Sequence, residues 1–178
     1  MKQINIINEG LKFGLICGLT AVLIMFGSWA LGIKTFTAVQ FYSFFFPYMI
    51  IILVIGGLQL RKQNDGLLSF AEALKFNFLS YVIAAVITAI ATYVLYNFID
   101  ATLTQQSAEI ALAKTREIME KMGASEEDIE KEINKSAESM KDTGFKKIIL
   151  GTGTFLIWDF VKALLLSVAL KKEAKFDL

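Results

Sequence analysis

The sequence contains no histidine and a single cysteine, Cys17, which lies within an apolar run. The missing imidazoles exclude a Ser-His-Asp triad, a Cys-His dyad and zinc sites built on histidine or on several thiolates. A disulfide within the chain is also excluded, so Cys17 is interpreted as a small packing residue. Chemistry by Asp, Glu, Ser or Lys stays open, but no motif indicates it. We therefore expect no metal, no cofactor and no enzymatic activity.

Proline is also rare, and the net charge is close to zero. Pro47 is the one proline, whereas phenylalanine occurs 15 times, which favours helices over a loop-rich fold. The formal net charge of +1 gives no electrostatic reason to expect nucleic acid as a partner. Because 55% of the residues are hydrophobic and 20% are still charged, the charged residues must be segregated from long apolar runs.

Four apolar runs are long enough to cross a bilayer, whose hydrocarbon core needs about 20 helical residues. They cover residues 11–32, 39–60, 76–99 and 148–170, and no alternation typical of a membrane β-barrel occurs. The sequence therefore predicts an all-α protein. Residues 1–178 form a single membrane domain, an integral membrane four-helix bundle whose immediate partner is the lipid bilayer.

The first run has an alternative interpretation as a cleaved signal peptide, since Ser28-Trp29-Ala30 resembles a small-x-small cleavage site. However, the apolar stretch is long for a signal peptide, and Glu9 precedes it. We expect it to be a retained span, with Lys12 reaching toward the headgroups.

The second and third runs each carry one irregular feature. Pro47 removes a backbone hydrogen bond and clashes with the carbonyl of Ser43, which predicts a kink or a helix whose regular part starts late. Before the third run, residues 69–75 have amphipathic spacing, so this lead-in is a candidate to rest along the membrane interface.

Basic residues beside the spans predict the orientation. On an alternating four-span path, one side receives Lys2, Lys12, Arg61, Lys62, Lys75, Lys171, Lys172 and Lys175. The short turn on the opposite side offers Lys34, although Lys146 and Lys147 also adjoin the fourth span there. We expect both termini to be cytoplasmic.

Residues 100–147 form the one long charged segment, with features of an extracytoplasmic helical hairpin. Ile110, Lys114, Ile118 and Met122 share one face, and Gly123 is a natural helix end. Ser125 and Asp128 then match a capping pattern, and Ile129 and Ile133 continue a narrow apolar stripe. Such a stripe suits packing within the hairpin, a partner protein or a membrane surface.

Two spans contain small residues at intervals of four, a spacing that lets helix backbones approach closely in lipid. These are Gly10, Gly14 and Gly18 in the first span, and Ser80, Ala84, Thr88 and Thr92 in the third. The pattern predicts helix packing, either within the chain or between two copies of it.

Asp159 lies near the middle of the fourth span, with Lys162 three residues later on the same helix face. A lone charge at that depth costs about 3 kcal/mol, so the two side chains are expected to pair. One hypothesis makes the pair structural, with Asn77, Ser80 or Thr88 as further partners. The other makes Asp159 a carboxylate that handles protons or cations.

Three stretches in order resemble a known family: FAEALKF at residues 70–76, YNFID at 96–100 and MGASEEDIE at 122–130. The chain is similar over nearly its whole length to the bacterial membrane proteins of domain-of-unknown-function family 4199. It departs at Ala101, where members often have proline at the turn that leaves the third span. The resemblance implies four membrane helices and a bacterial cytoplasmic membrane, and it implies no activity.

These patterns predict a non-enzymatic membrane protein that engages a membrane-protein partner or a second copy through its hairpin or its helix faces. The alternatives are a small ion- or proton-coupled transporter module using Asp159, which would need to dimerise because no inverted repeat is present, and a membrane enzyme.

Overall fold

The computed structural model describes residues 5–43, 47–140 and 145–173, with residues 139, 140 and 145 described in their backbone only. Within these ranges the chain forms seven α-helices: α1 (Ile6–Ala30), α2 (Ile33–Ser43), α3 (Tyr48–Gln63), α4 (Phe70–Val94), α5 (Leu103–Lys121), α6 (Glu126–Met140) and α7 (Phe145–Leu170). A π-helical turn, Leu95–Ile99, continues α4. The described residues contain no β-strand beyond an isolated bridge between Leu68 and Lys172. The all-α prediction is confirmed.

Three helical stretches are long and apolar enough to cross a membrane: Ile6–Ala30, Phe70–Ile99 and Lys146–Leu170. The second predicted span differs from these, because α2 and α3 are bent by 50° relative to each other. Pro47 stands at the start of α3 and Ser43 at the end of α2, so the proline does not distort a continuous helix. Residues 44–46 lie outside the described residues. The chain thus has a fourth span only if α2 and α3 together form one.

Polar side chains fix where two of the long helices begin. The Asn5 side chain accepts hydrogen bonds from the backbone N–H groups of Ile7 and Asn8, at 3.1 and 3.2 Å. Ser69 and Glu72 form a reciprocal capping box at the start of α4. Since α4 runs unbroken from Phe70, the amphipathic lead-in continues directly into the span instead of forming a separate interfacial segment.

The helices α1 and α4 pack side by side and run in the same direction. Gly10 lies against Leu79, Gly14 against Ile83 and Gly18 against Ile87, so each step of four residues in α1 matches four in α4. If successive spans cross in alternating directions, the first and third spans must be parallel. The parallel course of α1 and α4 agrees with that requirement.

The helix α7 runs antiparallel to α4. Leu68 exchanges backbone hydrogen bonds with Lys172. Asn77, which follows Leu68 in sequence, bonds to Ser167, which precedes Lys172. The helix α3 packs against α1, α4 and α7, with Gly57 touching Leu170. The ends of α3 and α7 and the start of α4 therefore lie at one end of the bundle.

The buried core has two parts. The larger lies where α1, α3, α4 and α7 meet and includes Phe13, Leu53, Phe76 and Ala163. The smaller lies at the other end and joins Met25 of α1, Phe36 of α2, Leu95 of the π-helical turn and Leu103 of α5. The charged segment therefore starts against the bundle and is anchored to it by Leu103.

The helices α5 and α6 pack together as a hairpin. Gly123 has φ +75°, the left-handed conformation that ends a helix and strongly favours glycine. The Ser125 hydroxyl accepts the Asp128 N–H at 3.2 Å and donates to the Asp128 carboxylate at 2.6 Å. Residues 141–144 of the predicted hairpin, like Lys2 and Lys175 of the predicted basic side, lie outside the described residues.

Candidate functional site

The candidate site centres on an ion pair in α7. The ammonium of Lys162 lies 2.5 Å from the carboxylate of Asp159, and the Asp159 side chain is 16% exposed. Lys162 is 42% exposed, so the lysine reaches outward while the carboxylate stays largely enclosed. Their spacing of three residues places both groups on one helix face. The pair neutralises charge that lipid would otherwise disfavour.

Tyr81 of α4 forms a second contact with the pair. The Lys162 ammonium lies 5.1 Å from the centre of the Tyr81 ring, a cation–π distance. Tyr81 is only 1% exposed, and its hydroxyl has no hydrogen-bond partner among the described residues. A buried hydroxyl without a partner is unusual because it loses its bonds to water. It leaves one donor and acceptor available beside the charges.

Tyr48 of α3 and Cys17 of α1 complete the surroundings. Tyr48 and Tyr81 both lie within electrostatic range of Asp159 and of Cys17. We call Tyr48, Tyr81, Asp159 and Lys162 the interior polar cluster. Its members come from three different helices, so it forms only when α3, α4 and α7 are packed.

Within the described part of the chain, none of the three polar side chains expected to support Asp159 forms a hydrogen bond to it, and two of them bond elsewhere. The Asn77 amide donates to the Ser167 hydroxyl at 3.0 Å, linking α4 to α7. The Ser80 hydroxyl shares its hydrogen bond between the carbonyl oxygens of Phe76 and Gly10, at 2.8 and 3.0 Å. The Thr88 hydroxyl has no partner among the described residues. Asn77 and Ser80 therefore join helices to one another instead of extending the charge pair.

The glycine stripe of α1 lies against α4 of the same chain. A Cβ added at Gly14 would stand 2.7 Å from the Ile83 Cβ and 3.0 Å from the Ser80 carbonyl oxygen, and one at Gly18 would stand 3.0 Å from the Ile87 Cβ. Ser80 and Ala84 are buried and Thr88 is half-buried on α4. The close approach is therefore used within the chain, not held open for a second copy.

Sequence reasoning missed Gly56 and Gly57. The aromatic rings of Phe13 and Phe76 lie 2.7 Å from a Cβ built at Gly56, and Leu170 fills the space beside Gly57. Adjacent glycines in an apolar run were the available signal, since glycine costs helix stability unless a neighbour approaches closely. Tyr81 was also missed, because no sequence pattern shows which side chain of α4 faces Lys162.

An exposed ion pair links the two helices of the hairpin, and another lies within α5. Arg116 of α5 lies 2.7 Å from Glu126 of α6, and the Glu126 carboxylate raises the pKa of Arg116. Within α5, Lys121 lies 2.6 Å from Glu117 and lowers the pKa of that carboxyl. All these side chains are exposed, so each pair contributes little by itself.

The apolar residues of the hairpin divide into two groups. Ile129 of α6 is 1% exposed, whereas Ile118 of α5 is 46% exposed and Met122, which directly follows α5, is 80% exposed. The hairpin therefore buries only part of the predicted apolar stripe, and the side chains near Gly123 remain exposed.

Metal chemistry has no obvious place in the part of the chain that the structure describes. Across 5–43, 47–140 and 145–173, no three His, Cys, Asp or Glu residues come together to hold an ion. The interior polar cluster contains one carboxylate, one ammonium and two phenols, and its direct contacts are the Asp159–Lys162 ion pair and the Lys162–Tyr81 cation–π contact.

Comparison with known families agrees with the motifs at residues 70–76, 96–100 and 122–130. The family described as "Protein of unknown function (DUF4199)" matches residues 12–172, which is most of the chain. The chain belongs to this family. No curated protein and no solved structure matches this DUF4199 chain, so no relative contributes an activity or a ligand.

Proposed function

We propose that this DUF4199 protein crosses the membrane four times, with α2 and α3 together as the second crossing. The parallel course of α1 and α4 and the antiparallel course of α7 support this path, since a connection must return the chain between α1 and α4. The bend near Pro47 is tolerated in a membrane helix when neighbouring groups satisfy the freed backbone.

The proposed location is a bacterial cytoplasmic membrane, with both termini cytoplasmic and the hairpin outside. Arg61, Lys62 and Lys172 lie at the end of the bundle where α4 begins, and a basic bias of this kind marks the cytoplasmic side. The bacterial setting rests on the family resemblance.

Labelling of single cysteines tests this orientation. In a Cys17→Ala background, Lys131→Cys in the hairpin should react with a membrane-impermeant maleimide in intact cells. Asp65→Cys, in the turn between α3 and α4, should react only after the membrane is opened. The reverse pattern contradicts the orientation. Reaction of both cysteines in intact cells would place them on the same side and contradicts the single crossing by α4 between them.

Its proposed role is non-enzymatic: the hairpin binds a membrane-protein partner. The observation that carries this proposal is the exposure of Met122 and Ile118 while Ile129 is buried. Apolar side chains that stay in water next to a buried one favour an additional contact, because covering them removes apolar surface from solvent.

Site-specific photocrosslinking tests the partner role. A photoreactive residue at Met122 should give one discrete crosslinked species in native membranes, and one at the exposed, charged Glu127 should give none. Co-expression with a differently tagged copy tells a second copy from another protein. Equal yields from both positions, or crosslinks to lipid alone, contradict a protein contact at this surface.

A second candidate function is proton or cation handling by the interior polar cluster. The buried Tyr81 hydroxyl favours it, because it has no partner among the described residues and lies within electrostatic range of Asp159, and a phenol can donate a hydrogen bond to a carboxylate. In proteoliposomes, a measurable flux that Asp159→Asn abolishes while the fold is retained would support this role. No flux in the wild-type protein, or a flux that Asp159→Asn leaves unchanged, removes it.

A further inference from the structure

A groove lies between α2 and α5 at the end of the bundle where the hairpin begins. Its volume is about 560 Å³, and Tyr96 of the π-helical turn contributes to its lining. Phe36, Phe41 and Ala38 of α2 give it an apolar wall, and Ser107 of α5 also lines it. We call this cavity the α2–α5 groove.

Two lysines face the α2–α5 groove from opposite helices, Lys34 from α2 and Lys114 from α5. The Lys114 ammonium lies 4.0 Å from the centre of the Phe41 ring, which holds it at the apolar wall. Both lysines are exposed, and two positive charges at the edge of one cavity attract an anion.

No carboxylate of the described residues forms an ion pair with either lysine. The acid nearest in sequence to Lys114 on the same helix face is Glu117, and its carboxylate is paired with Lys121 at 2.6 Å. The α2–α5 groove therefore has two positive charges with no ion-pair partner among the described residues, although Glu117 also feels the charge of Lys114. This charge favours an anion as the ligand.

The position of the groove indicates which kind of anion would fit it. The smaller buried core, which includes Phe36 and Leu103, links the groove to the ends of α1 and α4, where those helices leave the apolar region. A free phosphate ion would use the two ammonium groups and gain nothing from the aromatic wall. A molecule with a phosphate at one end and an acyl chain at the other uses both.

We propose that the α2–α5 groove binds an anionic phospholipid, with its phosphate between Lys34 and Lys114 and the start of an acyl chain along Phe36 and Phe41. This inference rests on the proposed membrane placement. It does not depend on the partner role of the hairpin or on any flux through the interior polar cluster.

Native mass spectrometry of the full-length protein in detergent tests the proposal. Phosphatidylglycerol and phosphatidylcholine with the same acyl chains are compared as ligands. The wild-type protein should prefer phosphatidylglycerol. Lys34→Gln and Lys114→Gln should each weaken phosphatidylglycerol binding about fivefold, and the double variant should bind both lipids equally. Lys131→Gln, a lysine of α6 outside the groove, is the matched control and should bind as the wild type does.

Several results would overturn the proposal. These are equal binding of the two lipids by the wild-type protein, an equal loss in Lys131→Gln, or displacement of the lipid by inorganic phosphate at the same concentration. The last would show a phosphate site with no use for the acyl chain. If the lysine variants do not fold, a photoreactive phosphatidylglycerol added to the wild-type protein decides the matter. Adducts on α2 and α5 support the site, and adducts confined to other helices contradict it.

The cysteine-labelling experiment separates this proposal from the membrane placement. Loss of lipid preference with unchanged labelling of the hairpin and of the α3–α4 turn overturns only the groove. Labelling that contradicts four crossings overturns the placement on which the groove depends.

Discussion

The indole Nε1–H of Trp29 donates a hydrogen bond to the Asp100 carboxylate at 3.0 Å, across 71 positions of sequence. Trp29 lies at the end of α1, and Asp100 immediately follows the π-helical turn that ends the third predicted span. The bond therefore joins the ends of the two parallel helices at the side where the hairpin begins. It also fixes the carboxylate from which the chain turns into α5.

This bond predicts a defined acid sensitivity. The Trp29 indole, followed by the Thr102 hydroxyl, holds the pKa of Asp100 below its ordinary value of 3.8. A carboxyl whose folded pKa is lowered stabilises the fold above the unfolded pKa, and this stabilisation is lost as pH falls through the folded value. We expect Trp29→Phe to be less stable than the wild type at pH 6 and to lose less stability on acidification below pH 3.8.

Thermal unfolding followed by circular dichroism in detergent, from about pH 6 to about pH 3, measures this difference. Trp158→Phe is the matched control, because Trp158 is the other tryptophan and its side chain is 62% exposed. The control should keep the wild-type pH profile. A Trp29→Phe profile parallel to the wild type would show that the bond does not set the pKa of Asp100.

The glycine stripe predicts a position-specific effect of one methyl group. A Cβ at Gly14 would stand 2.7 Å from the Ile83 Cβ, whereas one at Gly27 in the same helix meets nothing within 4 Å. Gly14→Ala should lower the free energy of unfolding by about 1–3 kcal/mol, because the packed helices must move apart. Gly27→Ala should leave it unchanged or raise it, since alanine favours helix more than glycine does.

Unfolding by increasing sodium dodecyl sulfate in mixed micelles measures both variants on one scale. Similar stabilities for Gly14→Ala and Gly27→Ala would mean that α1 and α4 do not approach as closely as the structure has them.

The sequence predicted where the helices lie better than it predicted which helices pack against each other. Hydropathy, the helix end at Gly123 and the capping pattern at Ser125 act within a few residues, so they indicated helix type and the two helix ends inside the hairpin. Close packing of α1 against another helix was indicated by Gly10, Gly14 and Gly18, because small residues at this spacing let helix backbones approach. That α4 is the helix they meet is a tertiary fact that no local spacing contains.

The candidate site was only half predictable, for the same reason. Asp159 and Lys162 pair within one helix, so their spacing was sufficient. Tyr81 and Tyr48 join them from α4 and α3, and their contribution depends on how three helices rotate about their axes. Asn77 and Ser80 are polar side chains of the same helix as Tyr81, yet they bond to Ser167 and Gly10. Their partners are determined by how the helices pack and not by polarity alone.

The ion pair of α7 predicts strong coupling between two substitutions. Lys162→Leu leaves the Asp159 carboxylate, which is 16% exposed, without its cation, and Asp159→Leu leaves the ammonium over the Tyr81 ring alone. Each single variant should be less stable than the double variant Asp159→Leu with Lys162→Leu. The coupling energy should be about 1–2 kcal/mol.

A double-mutant cycle of unfolding free energies in mixed micelles gives this coupling directly. Phe160→Leu, on the same helix between the two charges, controls for general changes in α7. Additive effects of the two charge removals would show that the pair contributes nothing as a pair.

The last prediction concerns the ion pair between the two hairpin helices. Arg116 lies 2.7 Å from Glu126, whereas the neighbouring Glu127 has the same charge in the same first turn of α6 and no ion-pair partner among the described residues. Glu126→Gln and Glu127→Gln both remove one negative charge from the helix N-terminus, so the dipole effect is matched between them. Only Glu126→Gln also breaks the link to α5.

We therefore expect amide hydrogen exchange in residues 118–130 to be faster in Glu126→Gln than in Glu127→Gln at low ionic strength. The difference should shrink at about 1 M salt, because an exposed pair is screened once the Debye length falls to roughly 3 Å. Equal exchange in the two variants would mean that the hairpin is held by contacts such as buried Ile129 alone. A difference that persists in high salt would mean that Glu126 acts through packing and not through its charge.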